Sequence, residues 1–368
     1  MTTGATPGAT TRPTVHVVYE HGVDYRPYSS AYIRLLRPLG HPLARERLDV
    51  TFGIDFHGRA TDLVVVDRLW RPEVTIEAVT DLVKRVRQSG ARLLYSLDDS
   101  FFDLAEEGRE ALAVESLGVV AYLLQHADAV LVSTPALRDR LSPRHDRILV
   151  VANQLDERLL VRREPAVPRA VDAARPLVIG CMGTFTHDDD LMMAVPALGS
   201  YCRRHAGRVR LEIVGAVGTD AGRAAIADLP VAHVYPRPEE HEYPLFMLWY
   251  TASARWDLAI APLRDTPFNR CKSDIKHLDY SAIGAPGIFS RTAPYLSADP
   301  AGPSVEHGRT GWLVDADPTS WEEAFETLAA DGDLRQAIAL GASRHLREGR
   351  TLAHRAADWV DAVTSCLE

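Results

Sequence analysis

The order in which short apolar runs and amphipathic segments alternate is the feature that most constrains the fold of this chain. Five runs in the first half are rich in Val, Leu and Ile and show no alternation of polar and apolar residues. Such runs are typical of parallel strands that are buried on both faces of a sheet. The predicted strands are Val15–Tyr19, Asp62–Val66, Arg92–Leu97, Ala129–Ser133 and Ile148–Ala152.

Amphipathic helices are predicted between these strands, for example at Val74–Ser89 and Ala111–His126. The strand–helix order indicates a parallel sheet with right-handed crossovers. A second series follows, so we expect an α/β fold with two Rossmann-like parallel-sheet domains that face each other across a cleft. Ligands of such sheets bind outside the carboxyl ends of the strands. The strands of the second series are Leu177–Cys181, Val209–Val214, Ala232–Tyr235, Leu258–Ala261, Gly287–Ser290 and Trp312–Val314.

The length of 368 residues also favours two domains, because single domains usually hold about 100–200 residues. We expect a disordered leader at 1–13, an N-terminal domain at 14–165 and a second domain at 177–350. The segment Val161–Pro176 contains three prolines and several charges, which indicates a linker. The last segment, 351–368, is predicted to form a helix with one apolar side.

Charge and cysteine usage exclude several classes of function. The formal net charge of -9 argues against nucleic acid as the main partner. No run reaches the roughly 18 apolar residues that span a bilayer, and residues 1–13 do not resemble a signal peptide, so we expect a cytoplasmic protein. No C-x-x-C spacing occurs, so neither a disulfide framework nor a metal site is expected, and a homo-oligomer stays open. The four cysteines are Cys181, Cys202, Cys271 and Cys366.

The segment Pro267–Pro286 is the strongest candidate site, because it follows the predicted strand Leu258–Ala261 and contains two lysines four residues apart. A helix is expected to begin at about Cys271, which would place Lys272 in its first turn and Lys276 on the same face. A helix N-terminus favours anions, so two lysines beside free N–H groups suit a diphosphate.

Asp279 lies seven residues after Lys272, two turns along the same helix face. A carboxylate there could accept hydrogen bonds from the hydroxyls of a ribose. The alternative is a solvated, charged helix start in which Asp274 and Asp279 pair with the lysines. The chemistry of these residues leaves both interpretations open.

The stretch APLRDTPFNRCKSDIKHLDYSAIGAPGIFS resembles the donor-binding segment of GT4-like GT-B glycosyltransferases. In that family a helix carries two acidic residues with seven residues between them, followed by a small-x-Gly-x-Pro turn. Asp279 stands at the second acidic position, whereas Cys271 stands at the first. The segment HGRTGWLVDADP at 307–318 resembles the next hallmark of the family. The donor-binding residues that the resemblance implies are Asn269, Lys272, Ser273, Lys276 and Asp279.

The resemblance implies a hexosyltransferase-like enzyme that needs no cofactor. It would move a sugar from a nucleoside diphosphate sugar to a hydroxyl of a glycan or small-molecule acceptor, with retention of the anomeric configuration. The second domain would hold the nucleotide, and the first would hold the acceptor. Lys272 and Lys276 would be catalytic, because they stabilise the charge that grows on the leaving diphosphate. The helix at 351–368 would pack back on the N-terminal domain.

The loop Gly180–Asp190 follows the first strand of the second domain, and in similar enzymes it lies over the sugar and the diphosphate. Gly183 permits a close backbone approach, so Gly183 and Thr184 are candidate donor-binding residues. The acidic run at 188–190 is interpreted mainly as capping of the helix that follows, with Thr186 as another candidate cap.

Loops of the first domain supply the acceptor-side candidates. Gly22 is expected to expose N–H groups toward the donor phosphates, with His21 and Tyr28 on the acceptor side. No G-x-G-x-x-G fingerprint occurs there, which argues against a dinucleotide dehydrogenase. Asp98 and Asp99 close a buried strand and are candidate catalytic residues, because one of them could orient or deprotonate an acceptor hydroxyl. The alternative role for Asp99 is to cap a helix.

Arg68 follows another strand of the first domain and is the last acceptor-side candidate, unless it is an ordinary surface or interface arginine. Three other functions stay open. The first is a metal-dependent GT-A transferase, with a metal held by the acids at 98–99 or 188–190. The others are a GT-B-fold sugar-nucleotide epimerase and a non-catalytic sugar-nucleotide-binding module.

Overall fold

The computed structural model describes residues 12–108, 114–162, 175–184, 188–297 and 303–368. Most of the expected leader and of the predicted linker therefore lies outside the described residues, as does Thr186. Two six-stranded sheets organise the rest. Their neighbouring strands all pair in parallel, so the carboxyl ends of each sheet lie along one edge.

The first sheet has the strand order β2-β1-β3-β4-β5-β6. Its strands are β1 Thr14–Val18, β2 Asp49–Gly53, β3 Leu63–Asp67, β4 Arg92–Leu97, β5 Ala129–Val132 and β6 Ile148–Val150. The second sheet has the order β12-β11-β10-β7-β8-β9. Its strands are β7 Leu177–Gly183, β8 Val209–Gly215, β9 Val231–His233, β10 Leu258–Ala261, β11 Gly287–Ser290 and β12 Trp312–Val314.

The predicted fold class is confirmed, and β4, β10, β11 and β12 have the bounds that the sequence indicates. The sequence analysis missed β2, which lies at the edge of the first sheet. Only Val50 of its five residues is buried, so β2 lacks the continuous apolar run by which central strands are recognised. An edge strand faces solvent along one side and does not need such a run.

Helices cover both faces of each sheet. Those of the first domain are α1 Ser29–Ala31, a π-helical turn Tyr32–Leu36, α2 Arg37–Leu39, α3 Pro42–Arg45, α4 Ile76–Gln88, α5 Phe101–Glu106, α6 Val114–His126, α7 Pro135–Leu141 and a 3₁₀ turn Glu157–Leu159. Those that follow β7 are α8 Asp188–Leu191, α9 Val195–Arg204, α10 Asp220–Ile226, a 3₁₀ turn Pro238–Glu240, α11 Tyr243–Ser253, α12 Pro267–Arg270, α13 Ile275–Ile283, α14 Ala293–Ser297, α15 Pro318–Ala330, α16 Gly332–Gly349 and α17 Leu352–Leu367.

The closing helix α17 belongs to the core of the first domain. Leu352, Ala356, Trp359 and Val360 recur at helical spacing and are buried among residues of β1, β3 and β4. The indole Nε1 of Trp359 donates a hydrogen bond of 2.6 Å to the carbonyl of Arg34. The chain therefore crosses back to the first sheet after it has completed the second.

The lysine-rich segment departs from the predicted single helix. The short helix α12 begins after Thr266, whose Oγ1 accepts a hydrogen bond from the N–H of Asn269, and it ends at Arg270. A separate helix, α13, begins at Ile275 and ends at Ile283, and its C-cap residue Gly284 adopts the left-handed conformation with φ 72°. Lys272 thus lies in the turn between two helices, not in the first turn of one.

Candidate active site

Lys276 lies in the first turn of α13, at the carboxyl edge of the second sheet, with its side chain largely enclosed. Burial lowers the pKa of its ammonium, while the carboxylate of Asp279 opposes the shift. Asp279, one turn further along, is buried, and burial raises its pKa to about 6 against the effect of Lys276. The opposite charges of Lys276 and Asp279 offset part of the cost of burying them. A further anion would stabilise the charged form of the lysine.

Lys272 projects from the turn between α12 and α13 toward the first domain. Its Nζ lies 4.5 Å from the centre of the Phe268 ring and 3.8 Å from Oδ1 of Asp99. Its charge also lowers the pKa of Lys276, so the two ammonium groups act on the same region. Lys272 therefore faces the gap between the two sheets, next to an acid of the acceptor side.

Asp274 does not pair with either lysine in the way that the solvated-helix interpretation expects. Its two carboxylate oxygens accept hydrogen bonds of 2.8 and 3.0 Å from the guanidinium of Arg350. Burial alone would raise the pKa of Asp274, but Arg350 brings it below the ordinary value. The bidentate pair therefore neutralises this carboxylate beside the lysines.

Asn269 and Ser273, two of the candidate donor-binding residues, are engaged within the protein. The fully buried Nδ2 of Asn269 donates to Oδ1 of Asp190 at 3.0 Å and to the carbonyl of Arg264 at 2.9 Å. The hydroxyl of Ser273 accepts a hydrogen bond of 2.8 Å from Nδ2 of Asn153 in the first domain. Both side chains hold the lysine-bearing turn in place.

Two further contacts attach this turn to the first domain. The hydroxyl of Thr134 donates to the carbonyl of Cys271 at 2.8 Å, and the N–H of Phe268 donates to Oε1 of Glu107 at 2.8 Å. Cys271 itself is buried in an apolar cluster whose other members come from the first domain. The cysteine that stands at the first acidic position of the resembled pattern thus belongs to the core of the first domain.

Gly183 is the last residue of β7 and pairs with Gly215 of β8. A Cβ atom on Gly215 would lie 2.1 Å from the carbonyl oxygen of Gly183, so the two strand ends approach as only glycine permits. Thr184 follows at the edge of the sheet, and the next residue that the structure describes is Asp188. This places Gly183 and Thr184 at the carboxyl edge that carries Lys276.

The sequence analysis interpreted the acidic run at 188–190 mainly as a cap of its own helix, but its carboxylates bind other loops. The carboxylate of Asp188 accepts hydrogen bonds from the N–H groups of Gly218 and Thr219 at 2.8 and 2.7 Å. Asp190 accepts from Asn269 and from the N–H of Arg264 at 3.0 Å. Acids in this run therefore fix neighbouring loops, and that role requires pairings that local sequence does not reveal.

The glycine loop after β1 is closed on itself. The N–H of Gly22 donates to the carbonyl of Arg26 at 3.0 Å, so it is not presented to the gap between the domains as expected. His21 is buried, with its N–H on the carbonyl of Trp70 at 3.1 Å and its Nδ1 2.8 Å from the carbonyl of Gly22. Tyr28 is half exposed at the end of the same loop.

Arg68 is the centre of an acidic cluster and not a surface arginine. Its Nε lies 3.0 Å from Oε2 of Glu20, and its Nη1 lies 2.9 Å from Asp98 and 3.0 Å from Asp99. Its φ of 45° falls in the left-handed region, which is uncommon for a long side chain and costs free energy. Asp99 does not cap α5, because Ser100 occupies the N-cap position.

Glu20 and Asp67 belong to this cluster, although the sequence analysis did not select them. Burial raises the pKa of both carboxyls, and Oδ2 of Asp67 accepts the N–H of Glu20 at 3.2 Å. Each ends or follows one of two paired strands, β1 and β3. An acid at the carboxyl end of two strands that pair is the signal that could have identified them.

The comparisons with solved structures concern the fold. No family model matches the sequence, and no curated protein matches it either. Sucrose-phosphate synthase from Thermosynechococcus elongatus is similar with a TM-score of 0.65 and 14% identity over 96% of this chain and 99% of that one. HepE of Anabaena, in complex with UDP-glucose, is similar with a TM-score of 0.63 and 15% identity over 96% and 100%.

WaaG, a glycosyltransferase involved in lipopolysaccharide biosynthesis, is similar with a TM-score of 0.64 and 11% identity over 95% of this chain and 99% of that one. These structures share the arrangement of two parallel sheets, so the chain has the GT-B fold that the sequence analysis predicted. The GT-A alternative is wrong, because two complete six-stranded parallel sheets follow one another along the chain.

Two searches among the described residues bear on cofactors and membranes. No group of three or more His, Cys, Asp or Glu side chains in that part of the chain is placed to hold a metal ion. Within the same part, none of the helices combines the length and the apolar character that crossing a bilayer requires.

Proposed function

We propose that this chain transfers a sugar from a nucleoside diphosphate sugar to an acceptor hydroxyl, with the donor on the second domain and the acceptor on the first. The observation that carries the proposal is the position of Lys272. Its ammonium group lies at the carboxyl edge of the second sheet, near Lys276, and 3.8 Å from Asp99 of the first domain. A donor and an acceptor placed on these two groups would meet.

The diphosphate would bind between Lys272 and Lys276. Lys276 is half-buried and its burial disfavours the charged form, so an anion beside it restores a stabilising interaction. As the bond between the anomeric carbon and the phosphate oxygen breaks, negative charge grows on the leaving diphosphate, and the lysines stabilise it. Asp279 would accept the ribose hydroxyls. HepE, whose fold is similar, has been solved with UDP-glucose, which supports a nucleotide sugar as donor.

The acceptor would bind beside the acidic cluster around Arg68. The acceptor oxygen forms the new bond to the anomeric carbon, and its proton passes to a carboxylate of Asp98 or Asp99 or to the leaving phosphate. We propose retention of the anomeric configuration. A proton NMR spectrum of the product tests this, since an inverted anomeric proton would contradict retention.

Nucleotide binding is the first test of this function. A ligand that binds only the native state raises the melting temperature, so UDP, GDP and dTDP are compared with the corresponding monophosphates. We expect at least one diphosphate to stabilise the protein more than its monophosphate. Lys272→Ala should remove most of this difference, whereas Arg270→Ala, which affects an exposed cation paired with Asp265, should leave it unchanged.

The remaining alternatives are separated by the products. With donor alone, an epimerase would convert the nucleotide sugar to its epimer, whereas a transferase would only hydrolyse it slowly. A non-catalytic module would bind the diphosphate and yield neither product. Mass spectrometry of donor mixed with a panel of hydroxyl acceptors distinguishes the three, and an epimer without any glycosylated product would overturn transfer.

A further inference from the structure

A small cavity lies beside the lysine that the proposed function assigns to the diphosphate. It has a volume of about 30 Å³ and is found at the carboxyl ends of β7 and β10. Lys276 forms part of its wall, together with the opening turn of α14. Because ligands of parallel sheets bind at this edge, the cavity belongs to the region that a donor would enter. The side chains that matter below are Cys181, Met182, Leu263, Lys276 and Tyr295.

The wall of this cavity is apolar. Among the described residues that line it, Lys276 and Tyr295 carry the charged and hydroxyl groups, and the other side chains are aliphatic or contain sulfur. Burial raises the pKa of the Cys181 thiol to about 12, so this group is neutral at working pH and behaves as a small apolar side chain. Met182 and Leu263 are likewise buried.

The position of the cavity relative to a donor follows from covalent geometry. A phosphate that pairs with Lys276 lies within one ion-pair length of the wall. The anomeric carbon is joined to the terminal phosphate through a single oxygen, so an edge of the sugar comes next to the same wall. Away from Lys276 and Tyr295, a hydroxyl that enters this space would lose water without gaining a hydrogen-bond partner among the side chains, whereas a methyl or methylene group would fill it favourably.

We propose that the donor is a nucleoside diphosphate deoxyhexose, whose methyl or methylene edge occupies the cavity. The proposal rests on the function proposed above, since it places the diphosphate on Lys276. The space is small, and its wall offers a methyl or methylene group close apolar contacts with Met182 and Leu263. Discrimination of this kind is limited, because one group in an apolar pocket changes affinity or rate by about 10–200-fold.

Calorimetric titration of the full chain tests the proposal without knowledge of the acceptor. The probes are UDP-glucose, UDP-6-deoxyglucose and UDP-2-deoxyglucose, with the dTDP and GDP forms of the same sugars so that the base does not decide the outcome. We expect one deoxy donor to bind at least about 10-fold more tightly than the matched hexose. Equal affinities, or tighter binding of the hexose, would overturn the proposal.

Substitutions in the wall make the test specific. Met182→Gln adds a polar amide to the cavity at similar volume and should reduce the preference for the deoxy donor. Met192→Gln makes the same chemical change at a partly buried position that does not line the cavity, and it should leave the preference intact. Tyr295→Phe should also preserve it; a preference that disappears in Tyr295→Phe would mean that a hydroxyl contact, not apolar filling, selects the sugar.

Failure of this proposal and failure of the proposed function give different results. If no nucleoside diphosphate binds, the function itself is wrong. If UDP, dTDP or GDP binds and every sugar form binds with equal affinity, the function stands and only the deoxyhexose assignment fails. The wild-type comparison needs no variant, so poor folding of Met182→Gln would not prevent a decision.

Discussion

The ammonium of Lys272 lies 3.8 Å from the carboxylate of Asp99, and this pair spans the gap between the second domain and the first. Asp99 also holds Arg68 at 3.0 Å, so it is shared between one cation on each side of the gap. A diphosphate on Lys272 would compete with Asp99 for the ammonium. Binding of the donor would thereby release Asp99 toward the acceptor, and the two binding events would be coupled.

Asp99→Asn tests this relationship. Loss of the competing carboxylate should tighten binding of a nucleoside diphosphate by no more than about 1 kcal/mol, because both side chains of the pair are about one-fifth exposed. If Asp99 accepts the proton of the acceptor, kcat should fall by about 10²–10⁴ in the same variant. Calorimetry and initial rates measure the two effects, with the exposed Asp139→Asn as control. Weaker nucleotide binding in Asp99→Asn would contradict the competition.

Lys276→Met should separate function from stability. At pH 5, where Asp279 still holds its proton, the substitution keeps the length of the side chain and removes a charge that burial disfavours without leaving a carboxylate unpaired, so the melting temperature should stay the same or rise. Transfer should nevertheless slow by about 10²–10³, the usual cost of removing one group that stabilises transition-state charge. Lys84→Met on the exposed side of α4 is the matched control, with no expected effect on rate. Full activity of Lys276→Met would remove this lysine from the mechanism.

The raised pKa of Asp279 predicts a change of stability with pH. Burial shifts this pKa from its ordinary value of 3.8 to about 6, so between these pH values the unfolded chain is ionised while the native carboxyl still holds its proton. The free energy of unfolding should therefore decrease as pH rises from about 4 to about 6, by roughly 3 kcal/mol for this group, and remain constant above that range.

Asp279→Asn removes this titration, which isolates it from the other raised carboxyls of the protein. Urea unfolding at several pH values gives the free energies of both proteins. Their difference should grow between pH 4 and 6 in favour of the variant. A difference that is independent of pH would show that Asp279 titrates at its ordinary value.

Removing Arg68 should destabilise the first domain. Arg68→Gln leaves Glu20, Asp98 and Asp99 without the guanidinium that holds them within 3.0 Å. Breaking a buried ion pair on one side costs about 3–5 kcal/mol, and because Arg68, Asp98 and Asp99 are each about one-fifth exposed, we expect a loss at or below the lower end of that range. Adding Glu20→Gln to Arg68→Gln should recover part of that loss. Urea unfolding measures these losses, with Arg291→Gln as the control, because this substitution affects only an exposed pair with Asp315 and should change stability little. An effect of Arg68→Gln as small as that of the control would contradict the prediction.

The sequence predicted the fold better than the site because the two depend on different distances along the chain. Buried strands such as Ala129–Val132 and Leu258–Ala261 are apolar throughout, and this property is local. Asp274, at the N-cap position of α13, pairs with Arg350, which lies 76 residues away. Glu20 joins the acidic cluster only because β1 pairs with β3. Contacts of this kind follow from strand order, which no single segment specifies.

The closing helix provides a last prediction, about the dependence of the first domain on the end of the chain. Trp359 of α17 is completely buried, and its Nε1 donates to the carbonyl of Arg34 at 2.6 Å. Trp359→Ala should lower the free energy of unfolding by about 3–5 kcal/mol, because it leaves a large cavity and an unpaired carbonyl. Trp359→Phe retains most of the packing and should cost less. Asp361→Ala, on the exposed side of the same helix, should change stability by less than about 1 kcal/mol. Because α17 packs on the first sheet and the proposed donor site is on the second, the folded Trp359→Phe protein should bind nucleotide with the affinity of the wild type. A lower affinity would mean that α17 also positions the lysine-bearing turn.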